Sequence, residues 1–217
     1  MPHVVLLGDS IFDNAAYTRG GPDVITQLRG ILPDGWRATL GAVDGATTHD
    51  MARQLRELPS DVTHLVLSVG GNDALGHMDL LDLRVRSSAE VLDQLAMAAG
   101  EFEARYRRTV NALLERRAPL TLCTIYNGNF PDVDFQRLAS TALTVFNDVI
   151  LRVAFERALA VIDLRLVCSE PADYANPIEP SSRGGATIAE AINGALALPS
   201  ADRGVARVLG STHHRAP

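Results

Sequence analysis

Ser10 is the side chain best placed to act as a nucleophile. It stands two residues after Gly8, directly behind the apolar run Val4-Val5-Leu6-Leu7. A serine hydroxyl attacks an acyl carbon only when a turn exposes it and a neighbour accepts its proton. A glycine just ahead of it permits a sharp turn. The oxyanion that would form needs fixed hydrogen-bond donors. Three candidates stand in strand-following text: the Ser10 backbone N–H, the Gly45 N–H in Val43-Asp44-Gly45-Ala46-Thr47-Thr48, and the Asn72 side-chain amide in Gly70-Gly71-Asn72-Asp73. Gly45 suits the role because a missing Cβ lets backbone approach a substrate. Asp9 and Asp73 are expected to hold their turns through side-chain-to-backbone bonds. Taken singly, Gly-Asp-Ser and Gly-Gly-Asn-Asp are ordinary turns. Both behind apolar runs, with Gly45 between them in order, point to one shared site.

These loops meet only if the runs before them lie side by side. Five apolar runs of strand length occur at residues 3–7, 37–42, 64–69, 119–126 and 159–164. Most lack clean alternation, as strands buried on both faces do. Helix-like segments at 22–32, 50–58, 90–117, 134–157 and 185–196 separate or follow them. In the third, Phe102, Tyr106, Val110, Leu113 and Leu114 recur at helical spacing, and Pro119 follows its end. Alternating strands and helices predict a five-stranded parallel sheet with helices on both faces. The fold class expected is therefore α/β, a three-layer α/β/α sandwich over residues 1–198. Its active crevice belongs at the carboxyl ends of the strands. Residues 199–217 carry no periodicity and are expected to be a flexible tail.

The three blocks Val4-Val5-Leu6-Leu7-Gly8-Asp9-Ser10, Gly45-Ala46-Thr47-Thr48 and Val69-Gly70-Gly71-Asn72-Asp73 resemble those of the SGNH, or GDSL, hydrolases. The resemblance runs over residues 3–196 with the blocks in family order. It implies a flavodoxin-like fold and metal-free acyl-ester hydrolysis, with Ser10 as nucleophile and Gly45 and Asn72 as oxyanion donors. The family's fourth block, Asp-x-x-His, departs here: the matching text is Asn176-Pro177-Ile178-Glu179, followed by Pro180-Ser181-Ser182 and Gly184-Gly185. Glu179 stands in the place of the histidine, and Asn176 in that of the aspartate. No histidine lies between His77 and His213.

Glu179 is thus the positional candidate for the base. A free glutamate has a pKa near ~4.3, but burial could raise it toward ~6–7, where it would serve. Asn176 beside it avoids the like-charge repulsion of an aspartate and can donate a hydrogen bond. A carboxylate base is expected to retain activity at mildly acidic pH. A solvated Glu179, or one paired with Arg183, is the competing reading. His77, five residues after Asn72, is the second candidate base. Thr48 is expected to cap the helix at 50–58, leaving His49 at the surface. Phe12, Tyr126 and Phe130 are candidates for an apolar pocket wall.

Composition narrows the alternatives. The net charge is −6, and all 20 basic residues are Arg. An acidic chain is unsuited to nucleic acid, and one without lysine has no Schiff-base chemistry, Walker-A lysine or Ser–Lys dyad. Cys123 and Cys168 form no CxxC pair, and the six histidines form no HExxH, so no metal and no cofactor are expected. No apolar run reaches the ~18 residues of a membrane span. The apolar run at Val4 has no basic region ahead of it and reads as a strand rather than a signal peptide, which predicts a cytoplasmic protein. The partner expected is a small-molecule acyl ester. The alternative is a catalytically retired member of the family that binds a small ligand in the same crevice. A nucleotide- or flavin-binding flavodoxin-like protein is disfavoured, because the loop after the first run lacks GxGxxG.

Overall fold

A computed structural model describes residues 1–197 and 207–210. The chain alternates strands with helices. In order these are β1 (His3–Gly8), α1 (Val24–Ile31), β2 (Arg37–Leu40), α2 (Met51–Arg56), β3 (His64–Ser68) and α3 (Gly71–Leu75), then α4 (Ser88–Leu114), β4 (Leu120–Cys123), α5 (Val133–Glu156), β5 (Ala160–Ile162), α6 (Leu164–Val167), α7 (Ser182–Leu196) and β6 (Arg207–Leu209). All pairings are parallel, in the order β2-β1-β3-β4-β5-β6.

The three-layer architecture and all five expected strands are present. Among the described residues the sheet has six strands rather than five. The extra strand, β6, pairs with β5 inside the stretch expected to be a flexible tail. Three residues are too few for a periodic signal, and only the free edge of β5 gives them a partner. Residue 198 and the rest of that expected tail, residues 199–206 and 211–217 with His213 and His214, lie outside the described residues.

Strand alternation divides the core. Val5, Leu7, Leu65 and Leu67 face one side, where Phe102, Tyr106 and Val110 of α4 and Phe146, Ile150 and Val153 of α5 cover them. Val4, Leu6 and Val66 face the other, against Val24 and Leu28 of α1 and Ile188 and Ile192 of α7. At 24 residues α5 is long and apolar enough to cross a bilayer by length and composition, yet its Phe146, Val149, Ile150 and Val153 are buried in this core.

The order of the strands positions the site. β1 lies between β2 and β3, so the chain leaves β1 toward one edge, returns, and builds the remainder of the sheet on the other side. Such a reversal opens a crevice at the carboxyl ends of the two central strands. Gly8 ends β1 in register with Ser68, the end of β3. The Ser10 and Asn72 loops therefore leave the sheet as neighbours.

Candidate active site

Gly8 makes the turn into Ser10 possible. Its φ is +127°, and a Cβ there would overlap the Ser68 carbonyl, so only glycine lets β1 end this close to β3. The Gln54 side chain clamps it, accepting from the Gly8 N–H at 2.9 Å and donating to the Gly8 carbonyl at 2.7 Å. The Asp9 N–H donates to Ser68 O at 3.1 Å, and Asp9 Oδ1 accepts from the Ile11 N–H at 3.2 Å. Ser10 sits on this turn, 6% exposed, on the wall of the crevice.

The second and third loops are bolted together. Asp73, just inside α3, accepts from the Thr48 N–H at 2.9 Å and the Thr48 hydroxyl at 2.5 Å. Arg105 of α4 donates to the Thr48 hydroxyl at 3.1 Å and lies 3.8 Å from Asp73. Thr48 therefore does not cap α2 as expected; Asp50 precedes that helix. A buried carboxylate beside an arginine outcompetes a local cap as a partner for the threonine. Asn72 Nδ2 donates to Ala46 O at 3.0 Å, which sets its amide beside the Ala46–Thr47 peptide, one residue past Gly45. Gly45 is exposed with φ +76°, and nothing lies within 4 Å of where a Cβ would be. Among the described residues, neither the Ser10 nor the Gly45 backbone N–H has a hydrogen-bond acceptor. Asn72 uses one of its two amide hydrogens on Ala46, leaving the second free.

Glu179 reaches the crevice on a loop after β5 and α6. Asn176 shapes that loop: its Oδ1 accepts from the N–H groups of Ile178 and Glu179, each at 2.9 Å. This is a side-chain turn, so Asn176 acts on the backbone at Glu179 and is itself exposed. Tyr126 after β4 donates to Ile178 O at 2.6 Å, and the Asn129 N–H to Pro177 O at 2.8 Å. From the β1 loop, Asn14 donates to Pro180 O at 3.2 Å while accepting from the Val24 N–H at 3.0 Å. Asn14, Tyr126 and Asn129 as anchors of the Glu179 loop were not evident in the sequence. Their partners are backbone carbonyls, which carry no residue-type signal.

Glu179 is 6% exposed. Burial pushes its pKa up to about 7; a hydrogen bond from the Ser10 hydroxyl pulls it down, and the Asp44 carboxylate pushes it up. Its Oε2 is buried without a hydrogen-bond partner among the described residues. This pKa also removes the basis for expecting activity at mildly acidic pH, since such a carboxyl titrates where a histidine does. Asp9, deeper in the wall, is raised by burial to about 8, with Glu179 and Asp73 adding to the rise.

His77 also lines the crevice, but beside the Phe146 ring, 6.2 Å between centroids. Tyr126 and Phe130 line it too, while Phe12 is buried in the core on the α1–α7 side. His49 is exposed, and Cys123 and Cys168 are buried free thiols. No group of three or more His, Cys, Asp or Glu suited to a metal ion occurs among the described residues.

A parallel α/β/α sandwich with a serine turn, an asparagine loop and a glycine loop at one sheet edge defines a class of hydrolase-like folds. The chain belongs to the GDSL-like lipase/acylhydrolase family, whose model matches residues 6–186. Solved structures agree on the fold. An extracellular lipase from Streptomyces rimosus superposes with a TM-score of 0.68 at 18% identity, covering 90% of this chain and 100% of that one. A phospholipase A1 from Streptomyces albidoflavus gives 0.63 at 18% identity, with 89% and 99% coverage. An acetylxylan esterase from Geobacillus stearothermophilus, solved as a catalytic mutant, gives 0.63 at 18%, with 93% and 96% coverage. No curated protein matches the chain in sequence.

Proposed function

We propose that the protein is a carboxylic ester hydrolase that works through an acyl-enzyme on Ser10, with Glu179 in the role of general base. The observation that carries this reading is that Ser10 shares a crevice wall with Glu179, a buried carboxyl whose pKa burial holds near neutrality and the Ser10 hydroxyl lowers. Ser10 Oγ attacks the acyl carbon and its proton passes to the Glu179 carboxylate. The carbonyl oxygen becomes an oxyanion facing the Ser10 N–H, the Gly45 N–H and the free Asn72 amide hydrogen. The C–O bond to the alcohol then breaks, and the protonated Glu179 returns its proton to the leaving oxygen. Water attacks the acyl-enzyme, gives a proton to Glu179, and the acid departs as Ser10 is reprotonated. Asn176 acts as a positioning residue by fixing the backbone at Glu179.

Two features support Glu179 over His77 in this role. Glu179 touches the nucleophile, and Asn176 with its neighbours braces the loop that holds it. His77 is placed against an aromatic ring on the wall.

The test needs no knowledge of the substrate. A fluorophosphonate probe should add to the intact protein, and the adduct should vanish in Ser10→Ala. Absence of an adduct from pH 6 to 9 (from roughly one unit below the Glu179 transition to roughly two above it) would favour the ligand-binding reading, in which the same crevice holds a small molecule without turnover.

A further inference from the structure

The crevice that begins at Ser10 and Glu179 continues well past them. It holds about 990 Å³ of empty space, open solvent at its mouth included. One wall is the end of α3 and the turn after it, contributing Leu75, Met78 and Leu81. The other is a single face of α5, on which Phe135, Ala142 and Phe146 fall with Ala139 between them. These positions are separated by whole turns of helix, so they line up along its axis over about 16 Å. The order along this face is large, small, small, large. Two alanines between two phenylalanines leave a furrow, not a packed ridge. Ala139 and Ala142 are only half-buried, in a helix whose later turns bury Phe146, Val149, Ile150 and Val153 in the core.

The polar groups of this crevice are unevenly distributed. Asp9, Ser10, Asn72, Thr124, Asn127 and Glu179 lie at the strand ends, where the reacting ester would sit, while His77 stands against Phe146. Among the described residues no arginine lines the crevice, and the α5 face contributes Phe, Ala and Leu alone. A sugar ring or a charged group placed in that arm would lose water and find, among the described residues, only His77 as a polar side-chain partner. An alkyl chain would lose only contact with water.

We infer that this arm is an acyl-chain channel, so that the site selects esters of medium- or long-chain fatty acids over acetyl esters, with the chain lying along the Ala139–Ala142 furrow. The inference rests on the esterase reading above. The alcohol lies outside this channel, so the selection falls on the acid.

A series of p-nitrophenyl esters holds the leaving group constant while the acid grows. Each methylene that enters the channel should raise kcat/KM by about fourfold, a conversion of its transfer free energy. Octanoate should therefore exceed acetate by at least about a hundredfold. Ala142→Phe, which fills the furrow, should lower the octanoate-to-acetate ratio by at least about tenfold. Leu81→Ala, which widens the opposite wall, should shift the preferred acid toward greater length or bulk. Dodecanoate binding to Ser10→Ala by calorimetry gives a readout independent of turnover, and Ala142→Phe in that background should weaken it.

Serine labelling with kcat/KM flat or falling from acetate to octanoate overturns the channel and leaves the hydrolase intact. Dodecanoate binding that Ala142→Phe weakens, without labelling or ester turnover, upholds the channel and overturns the hydrolase. Neither labelling nor binding overturns both.

Discussion

Glu179 occupies the position where its relatives by motif are expected to carry histidine, and its surroundings adjust the chemistry to match. Desolvation raises a carboxyl because the charged form loses water; here the result is a pKa of about 7. On the proposed mechanism the base must be ionised, so kcat/KM should rise with pH through about 7 and level off above it. Glu179→Gln keeps the shape and removes the base. It should reduce turnover by about a hundredfold or more, with the fold retained. His77→Ala should retain most of the activity. The opposite pattern, with loss only in the His77 variant, would transfer the base to the histidine. A rate–pH profile from each variant separates the two assignments.

At the scale of elements, the site is assembled from loops that belong to different strands. The Ser10 turn follows β1, the Asn72 helix follows β3, and the Glu179 loop follows β5 and α6. Asp73 ties the α3 start to the loop after β2, while Tyr126, Asn129 and Asn14 tie the Glu179 loop to the β4 and β1 loops. Removing one tie should loosen a single element without unfolding the sheet. Asn176→Ala deletes both acceptor bonds at Ile178 and Glu179. Because Asn176 is exposed, the stability loss should be about 1 kcal/mol. The larger effect should be on kcat, by about tenfold, with KM little changed, since the base would wander while the crevice keeps its shape. Equal loss in KM and kcat would mean that Asn176 shapes the crevice itself.

For the whole molecule, the buried carboxyls set how stability depends on pH. Asp9 moves from an ordinary 3.8 to about 8 in the folded state, and Glu179 from 4.5 to about 7. Over the windows between these values the native state keeps protons that the unfolded chain has released. Stability should therefore fall as pH rises from about 4 to about 8. Carboxylates held low by arginine have the opposite sign. Arg152 and Arg107 depress Glu103, and that contribution is lost only as pH falls below the ordinary carboxylate range. Calorimetric melting should thus show a melting temperature that declines from mildly acidic to alkaline pH. Asp9→Asn keeps an oxygen for the Ile11 N–H and should flatten much of the decline. A slope unchanged in that variant would place the titrating group elsewhere.

Much of this architecture could be read directly from the chain. Strand and helix periods are written in short windows, so five of the six described strands and the long helices were legible, as were Ser10, Gly45 and Asn72, which follow strands within a few residues. Glu179 was legible only as a position in a motif. Its contact with Ser10 depends on how a loop 169 residues further along the chain closes over β1. Its raised pKa depends on burial, which no local window contains. The sixth strand escaped notice because three residues need a neighbouring edge before they have a conformation. The furrow on α5 was hidden for a related reason. Ala139 and Ala142 are unremarkable helix formers until the fold sets them across from Leu75 and Leu81, and only that juxtaposition turns two missing side chains into space for a substrate.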